Sequence, residues 1–194
     1  MESGPVLDKT ARFLSRVFHP FIISVPAGIM FLYLSEISIL NSLKWILVST
    51  CFTILPTAFF MKAHPDYHLR DINSRESRNM LYIIGLIEIT VLTGVLSLMN
   101  APRLIITLCY SLILLTSVGA IINRMTKISL HVGVLTGFST ALMFLSLPIG
   151  LSGFIITVLT SWSRLRLKRH TVQQIALGML VPGVCISVIF QTMI

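Results

Sequence analysis

Three short polar segments carry nearly all the side chains able to do chemistry. The first runs Arg70-Asp71-Ile72-Asn73-Ser74-Arg75-Glu76-Ser77-Arg78. The second is Lys127-Ile128-Ser129-Leu130-His131. The third is Ser163-Arg164, then five residues, His170, then three residues, Gln174. Arginine presents a planar fork of N–H donors that matches phosphate oxygens two at a time. Lys127 and Ser129 add further donors. His131 and His170 each stand where a polar loop meets the start of an apolar helix, and a helix N-terminus favours negative charge nearby. An ordinary histidine serves as either acid or base near neutral pH. One of the two can attack or bind phosphorus while the other protonates the leaving oxygen. The residue types point to an oxyanion site, with phosphoryl transfer as its chemistry.

Each polar segment is bounded by long apolar runs. Seven runs stand out, at about 20–40, 43–61, 80–99, 102–123, 130–148, 150–162 and 171–193. Six approach the roughly 20 residues a helix needs to cross a bilayer. The run 150–162 is short and follows Pro148 and Gly150, which predicts a short, tilted or partly re-entrant helix. Residues 7–18 alternate Leu, Phe and Val with Lys and Arg at helical spacing, the pattern of an amphipathic helix lying on a membrane surface. The prediction is an all-α polytopic transmembrane bundle of six to seven spans. Residues 20–194 form a single transmembrane domain, and 1–19 form a surface helix.

If 150–162 crosses fully, alternate crossings return the chain to one face at 1–19, 62–79, 124–129 and 163–170. That face then holds thirteen of the fifteen basic residues, leaving Lys44 and Arg103 on the other. The bias of Lys and Arg toward the cytoplasm places the three polar segments there. Composition agrees with a membrane protein: 55% of residues are hydrophobic and 11% charged, against roughly 25% charged in soluble domains. A disordered chain and a secreted disulfide scaffold are excluded on these grounds. A net charge of +8 concentrated between apolar runs suits membrane lipids and phosphorylated substrates, not nucleic acid.

Other polar or small residues inside the runs have simpler readings. Cys51, Cys109 and Cys185 lack metal-ligand spacing and read as small buried hydrophobes. Gly85, Gly94, Gly119, Gly133 and Gly137 read as close helix-packing sites. His19, His64 and His68 flank spans without a partner pattern. Glu88 is intramembrane, either functional or a protonated, hydrogen-bonded structural acid.

The third segment resembles the last signature of the type 2 phosphatidic acid phosphatase superfamily, which reads Ser-Arg, five residues, His, three residues, Asp. Ser163, Arg164 and His170 match in type and spacing, and Gln174 stands where the family has Asp. The second signature, Pro-Ser-Gly-His, is represented by Ile128-Ser129-Leu130-His131, which keeps the Ser and the His. The first, Lys, six residues, Arg-Pro, has the spacing of Asp71 to Arg78, with Asp for Lys and Asn79 for Pro. The resemblance spans residues 70 to 178, with the motifs in family order. It implies that His170 is the nucleophile and His131 the acid for the leaving alcohol. It implies that Arg78, Ser129 and Arg164 hold the phosphate with Ser163, assisted by Lys127 and Arg75. It also implies hydrolysis of a lipid phosphate or diphosphate, isoprenoid or glycerolipid, without cofactor or metal.

Gln174 is a chemical departure. Its carbonyl oxygen can accept the hydrogen bond that the family Asp accepts, but it brings no negative charge. A less basic nucleophile and slower turnover follow. Two other readings use the same residues. Asp66 and Asp71 would suit a magnesium-binding loop of a prenyl- or phosphotransferase. A catalytically degenerate relative, or a transporter, would bind phospholipid in the basic pocket without turnover.

Overall fold

A computed structural model describes residues 4–63 and 75–194. These residues are all-α: α1 Gly4–Val17, α2 Pro20–Leu34, α3 Ile39–Ala63, α4 Arg75–Leu98, α5 Arg103–Asn123, α6 Leu130–Leu145, α7 Leu147–Arg166 and α8 Val172–Met193. Four of them, α3, α4, α5 and α8, are long and apolar enough to cross a membrane, and α1 with α2 would make a fifth as one span bent by 51°. That is fewer than the six to seven spans expected among these residues. The run 130–148 yields a helix of only sixteen residues. The run 150–162 extends to a twenty-residue helix, about 30 Å long. Its Ser, Thr and Arg residues keep it less apolar than the four spans. Segment 64–74, with Asp66, Arg70, Asp71, His64 and His68, lies outside the described residues.

The chain divides into two compact units, Met1–Glu36 with Lys127–Ser187, and Ile37–Thr126 with Val188–Ile194. In the first, α6 packs on α7, α7 also on α1, and α6 also on α2. Helices α6 and α7 are joined by the single extended residue Ser146, with φ −154° and ψ 106°. So short a turn forces the two backbones together, and only small residues allow that approach. The approach is made where Gly150 faces Met143 and Gly153 faces Ser139, with Gly150 and Ser139 both buried. Large apolar side chains of α7, among them Leu151, Ile155, Val158 and Leu159, point outward.

A Cβ at Gly150 would lie 2.6 Å from the Met143 backbone nitrogen and 2.7 Å from its Cα, and one at Gly153 would collide with Ser139. Gly150→Ala is therefore expected to destabilise the protein by about 2 kcal/mol, because backbone cannot move aside cheaply. Thermal unfolding in detergent should register this as a drop of about 4–8 °C; an unchanged midpoint would contradict the close approach. Helix α8 meets α6 through Gly178, where an added Cβ would sit 3.2 Å from the Ser129 carbonyl oxygen, and through Gly137, 3.2 Å from Ile186. Gly133 meets Pro182 at ordinary contact distance. Gly85 and Gly94, expected at packing sites, have open space beside them.

In the second unit α4 packs on α5 and on α3. Gly119 is required there, since a Cβ would meet the Tyr82 ring at 2.9 Å. The Thr57 hydroxyl, with its one hydrogen, is shared between the two carboxyl oxygens of Glu88, at 2.8 and 2.9 Å. Cys109 and Cys185 are buried as expected, whereas Cys51 is exposed.

Candidate functional site

His170 is held by two local devices that the chain encodes within eleven residues. Helix α7 ends in a Schellman turn. The Arg169 N–H donates to the Arg164 carbonyl at 3.1 Å and the Lys168 N–H to the Leu165 carbonyl at 2.9 Å. Lys168 takes the left-handed conformation this requires, with φ 52°. Helix α8 then begins with a capping box, Thr171-x-x-Gln174. The Gln174 N–H donates to Thr171 Oγ1 at 3.3 Å, and the Thr171 N–H donates back to Gln174 Oε1 at 3.3 Å. His170 is the link between the two devices, half-buried.

The same Gln174 Oε1 stands 3.1 Å from His170 Nδ1. The Thr171 N–H can only donate, so the amide atom facing it is the oxygen. That oxygen in turn needs a hydrogen from His170, so Nδ1 carries the proton and Nε2 keeps a free lone pair. Burial pushes the His170 pKa below the ordinary histidine value of 6.5; the Gln174 hydrogen bond opposes this, and the charges of Arg164 and Lys127 add to it. The result is a neutral imidazole with Nε2 unprotonated near pH 7.

His131 is the second residue of α6. Its ring packs edge-on against His19, with centroids 5.0 Å apart and planes at 83°. His19 occupies the break between α1 and α2, as N-cap of α2, so the bend delivers it to His131. Arg164, His19 and His170 all lie close enough to act on His131 electrostatically. Burial is the largest cause lowering the His131 pKa, to about 3, and these three charges lower it further.

Arg164 is half-buried at the end of α7. One terminal nitrogen donates to Ser15 Oγ at 2.8 Å, while its Nε is buried with no hydrogen-bond partner. Ser163, expected on the phosphate, lies inside the α1–α7 joint. It is fully buried, and its hydroxyl donates to the Ala11 carbonyl at 2.6 Å. Its role is to fasten α7 to α1. The exposed Arg166–Asp8 pair at 2.8 Å adds little to that joint. The amphipathic N-terminal helix thus turns Asp8, Ala11 and Ser15 toward α7.

Ser129 is the N-cap of α6 but makes no capping bond; its hydroxyl is fully buried and unpartnered. Its backbone N–H donates to the Gln174 carbonyl at 3.3 Å, tying the second polar segment to the third. Lys127 is half-buried and acts on His170 through its charge. The first unit thus gathers Lys127, Ser129, His131, Ser163, Arg164, His170 and Gln174.

Arg75 and Arg78 belong to the second unit. Arg75 opens α4. Arg78 Nε donates to Asn123 Oδ1 at 2.7 Å, and Asn123 Nδ2 donates to Asn79 Oδ1 at 2.7 Å. Asn79 thereby supports the arginine through the buried amide of Asn123.

Reading the sequence did not single out Arg12, Ser15, Arg16 or Arg169 as site residues. With Arg164 and Leu167 they line an open cleft of about 260 Å³. The i, i+3, i+4 spacing of Arg12, Ser15 and Arg16 was the available signal, since it puts them on one helical face. No protein-family model, curated protein or solved structure matches the chain.

Proposed function

We propose that the protein is an integral membrane lipid phosphatase, a divergent member of the type 2 phosphatidic acid phosphatase superfamily with its site on the cytoplasmic face. The observation that carries this is the His170–Gln174–Thr171 arrangement. It presents a neutral imidazole with Nε2 free, beside the cations Arg164 and Lys127. That is what attack on a phosphate anion requires: a desolvated nucleophile whose electrostatic neighbours are positive.

The chemistry balances simply. His170 Nε2 attacks phosphorus as the P–O bond to the lipid oxygen breaks. The departing oxygen takes the bonding pair and a proton from His131, whose imidazolium forms next to the bound phosphate. Water then cleaves the P–N bond and releases inorganic phosphate, with His131 accepting the water proton. Arg164 and Lys127 supply the positive charge that a metal provides in other phosphatases.

Detergent-purified protein in EDTA should release phosphate from isoprenoid or glycerolipid phosphates. Quenched reactions should contain an acid-labile, base-stable phosphoryl group on His170. Release that requires magnesium, and disappears in Asp71→Asn, would replace this reading with a transferase. Phospholipid binding without any release would replace it with a binding protein.

The pH dependence follows from the direction of the His170 shift. Its reactive form is neutral, so kcat/KM should hold on acidification through pH 6.5 and fall only as pH passes the lowered pKa. Gln174→Asp places a negative charge against Nδ1, favours the imidazolium and moves that acidic limb upward by about 1 unit or more. Above the limb the more basic nucleophile should turn over faster. A pH–rate profile that does not move would mean that Gln174 does not touch the nucleophile.

A further inference from the structure

The cleft between α1 and α7 is lined by four arginines, Arg12, Arg16, Arg164 and Arg169, with Ser15 and Leu167. Among the described residues no carboxylate lines it; Asp8 is paired with Arg166, outside the lining. Four like charges around one cavity repel each other unless an anion enters. Arg164, one of the lining residues, has its Nε buried with no partner among the described residues, although a guanidinium N–H ordinarily finds an acceptor. At roughly 30 Å³ per liquid water, the cleft of about 260 Å³ holds several oxygens and their hydration.

The charge exceeds what a phosphate monoester brings. Such a group carries about −1.5 to −2 near neutral pH, and Lys127 and Arg164 already stand beside His170. A diphosphate monoester brings a further charge and a second set of oxygens. Arg164 belongs both to the cleft and to the surroundings of His131 and His170. Its charge thus acts both in the cleft and on the two histidines.

We propose that the α1–α7 cleft binds the inner phosphate of a lipid diphosphate, with Arg12 and Arg16 of the N-terminal helix as the residues that select diphosphate over monophosphate. The inference rests on the phosphatase reading above. The terminal phosphorus bonds to His170 Nε2 as its bond to the bridging oxygen breaks. The lipid monophosphate departs with that electron pair and a proton from His131. The arginines of the cleft hold the departing group, where its negative charge grows. Water then frees inorganic phosphate from His170.

The test compares farnesyl diphosphate with farnesyl monophosphate, using wild type, Arg12→Gln, Arg16→Gln and the double variant. Glutamine keeps helix propensity on α1. The ratio of kcat/KM for diphosphate to that for monophosphate should fall about tenfold for each arginine removed, the loss expected for a charge-assisted hydrogen bond. Equal falls on both substrates, or none, would overturn the proposal. A second arm uses no lipid substrate. Inorganic pyrophosphate should bind His170→Ala protein at least tenfold more tightly than inorganic phosphate, and adding Arg12→Gln and Arg16→Gln should erase the difference. If wild type hydrolyses neither lipid, the phosphatase reading fails, and this arm still decides whether the cleft is a diphosphate site. Should the arginine variants instead lose binding to phosphatidylglycerol vesicles with the substrate ratio unchanged, the cleft holds a lipid headgroup and the proposal falls.

Discussion

His170→Ala is expected to lower phosphate release from a lipid phosphate by on the order of 10⁴-fold or more, down to the background of the assay. In the proposed mechanism His170 is the nucleophile that splits hydrolysis into two easier steps, so its loss would leave only binding and charge stabilisation. The variant should fold. The capping box between Thr171 and Gln174 uses none of the histidine's atoms, and the Schellman turn before it is backbone. Its detergent melting point should stay within a few degrees of wild type. Alanine leaves a space the size of an imidazole, so added imidazole should restore part of the release, as free phosphoimidazole turns over in solution. A folded variant that retains more than a tenth of wild-type release would remove His170 from the reaction.

His131→Gln should cost about 10²- to 10⁴-fold with a lipid alcohol as the leaving group, the usual worth of a placed general acid. The diagnostic is the leaving group. An alkoxide needs a proton as it departs, whereas a nitrophenolate does not. Release from p-nitrophenyl phosphate should therefore fall far less than release from the lipid substrate. The ring of His131 also packs against His19, so a purely structural loss would depress both substrates alike. That outcome would assign His131 to packing and leave the acid role to another group.

These two histidines differ in how far the chain alone reveals them. His170 lies between residues that it meets locally. The Lys168 turn, the Thr171 cap and the Gln174 oxygen are all within four positions, so spacing along a helix is enough to bring them together. Gln174 shows the limit of pattern reading even here. As a replacement for an acid it reads as a weakened partner. Its geometry has one oxygen serving both the helix cap and the imidazole, an arrangement that favours the proton on Nδ1. His131 is different, because its neighbour His19 is more than a hundred residues away and carries no spacing signal.

What the sequence determined by itself was the all-helical, membrane-suited character of the chain, the three polar segments and the local frame of His170. Each depends on composition or on contacts within a helical turn or two. Only the tertiary structure decided which segments meet. It joined the Ser163 hydroxyl to the Ala11 carbonyl on another helix. It set Arg12 and Arg16 around Arg164. It brought Gly150 and Gly153 into close approach while Gly85 and Gly94 stayed open. The physical reason is common to all three. A helix's periodicity says which residues share a face, but the partner for that face is chosen by a one-residue hinge at Ser146, a bend before His19 and the small side chains that let two backbones approach, none of which is a property of any single helix.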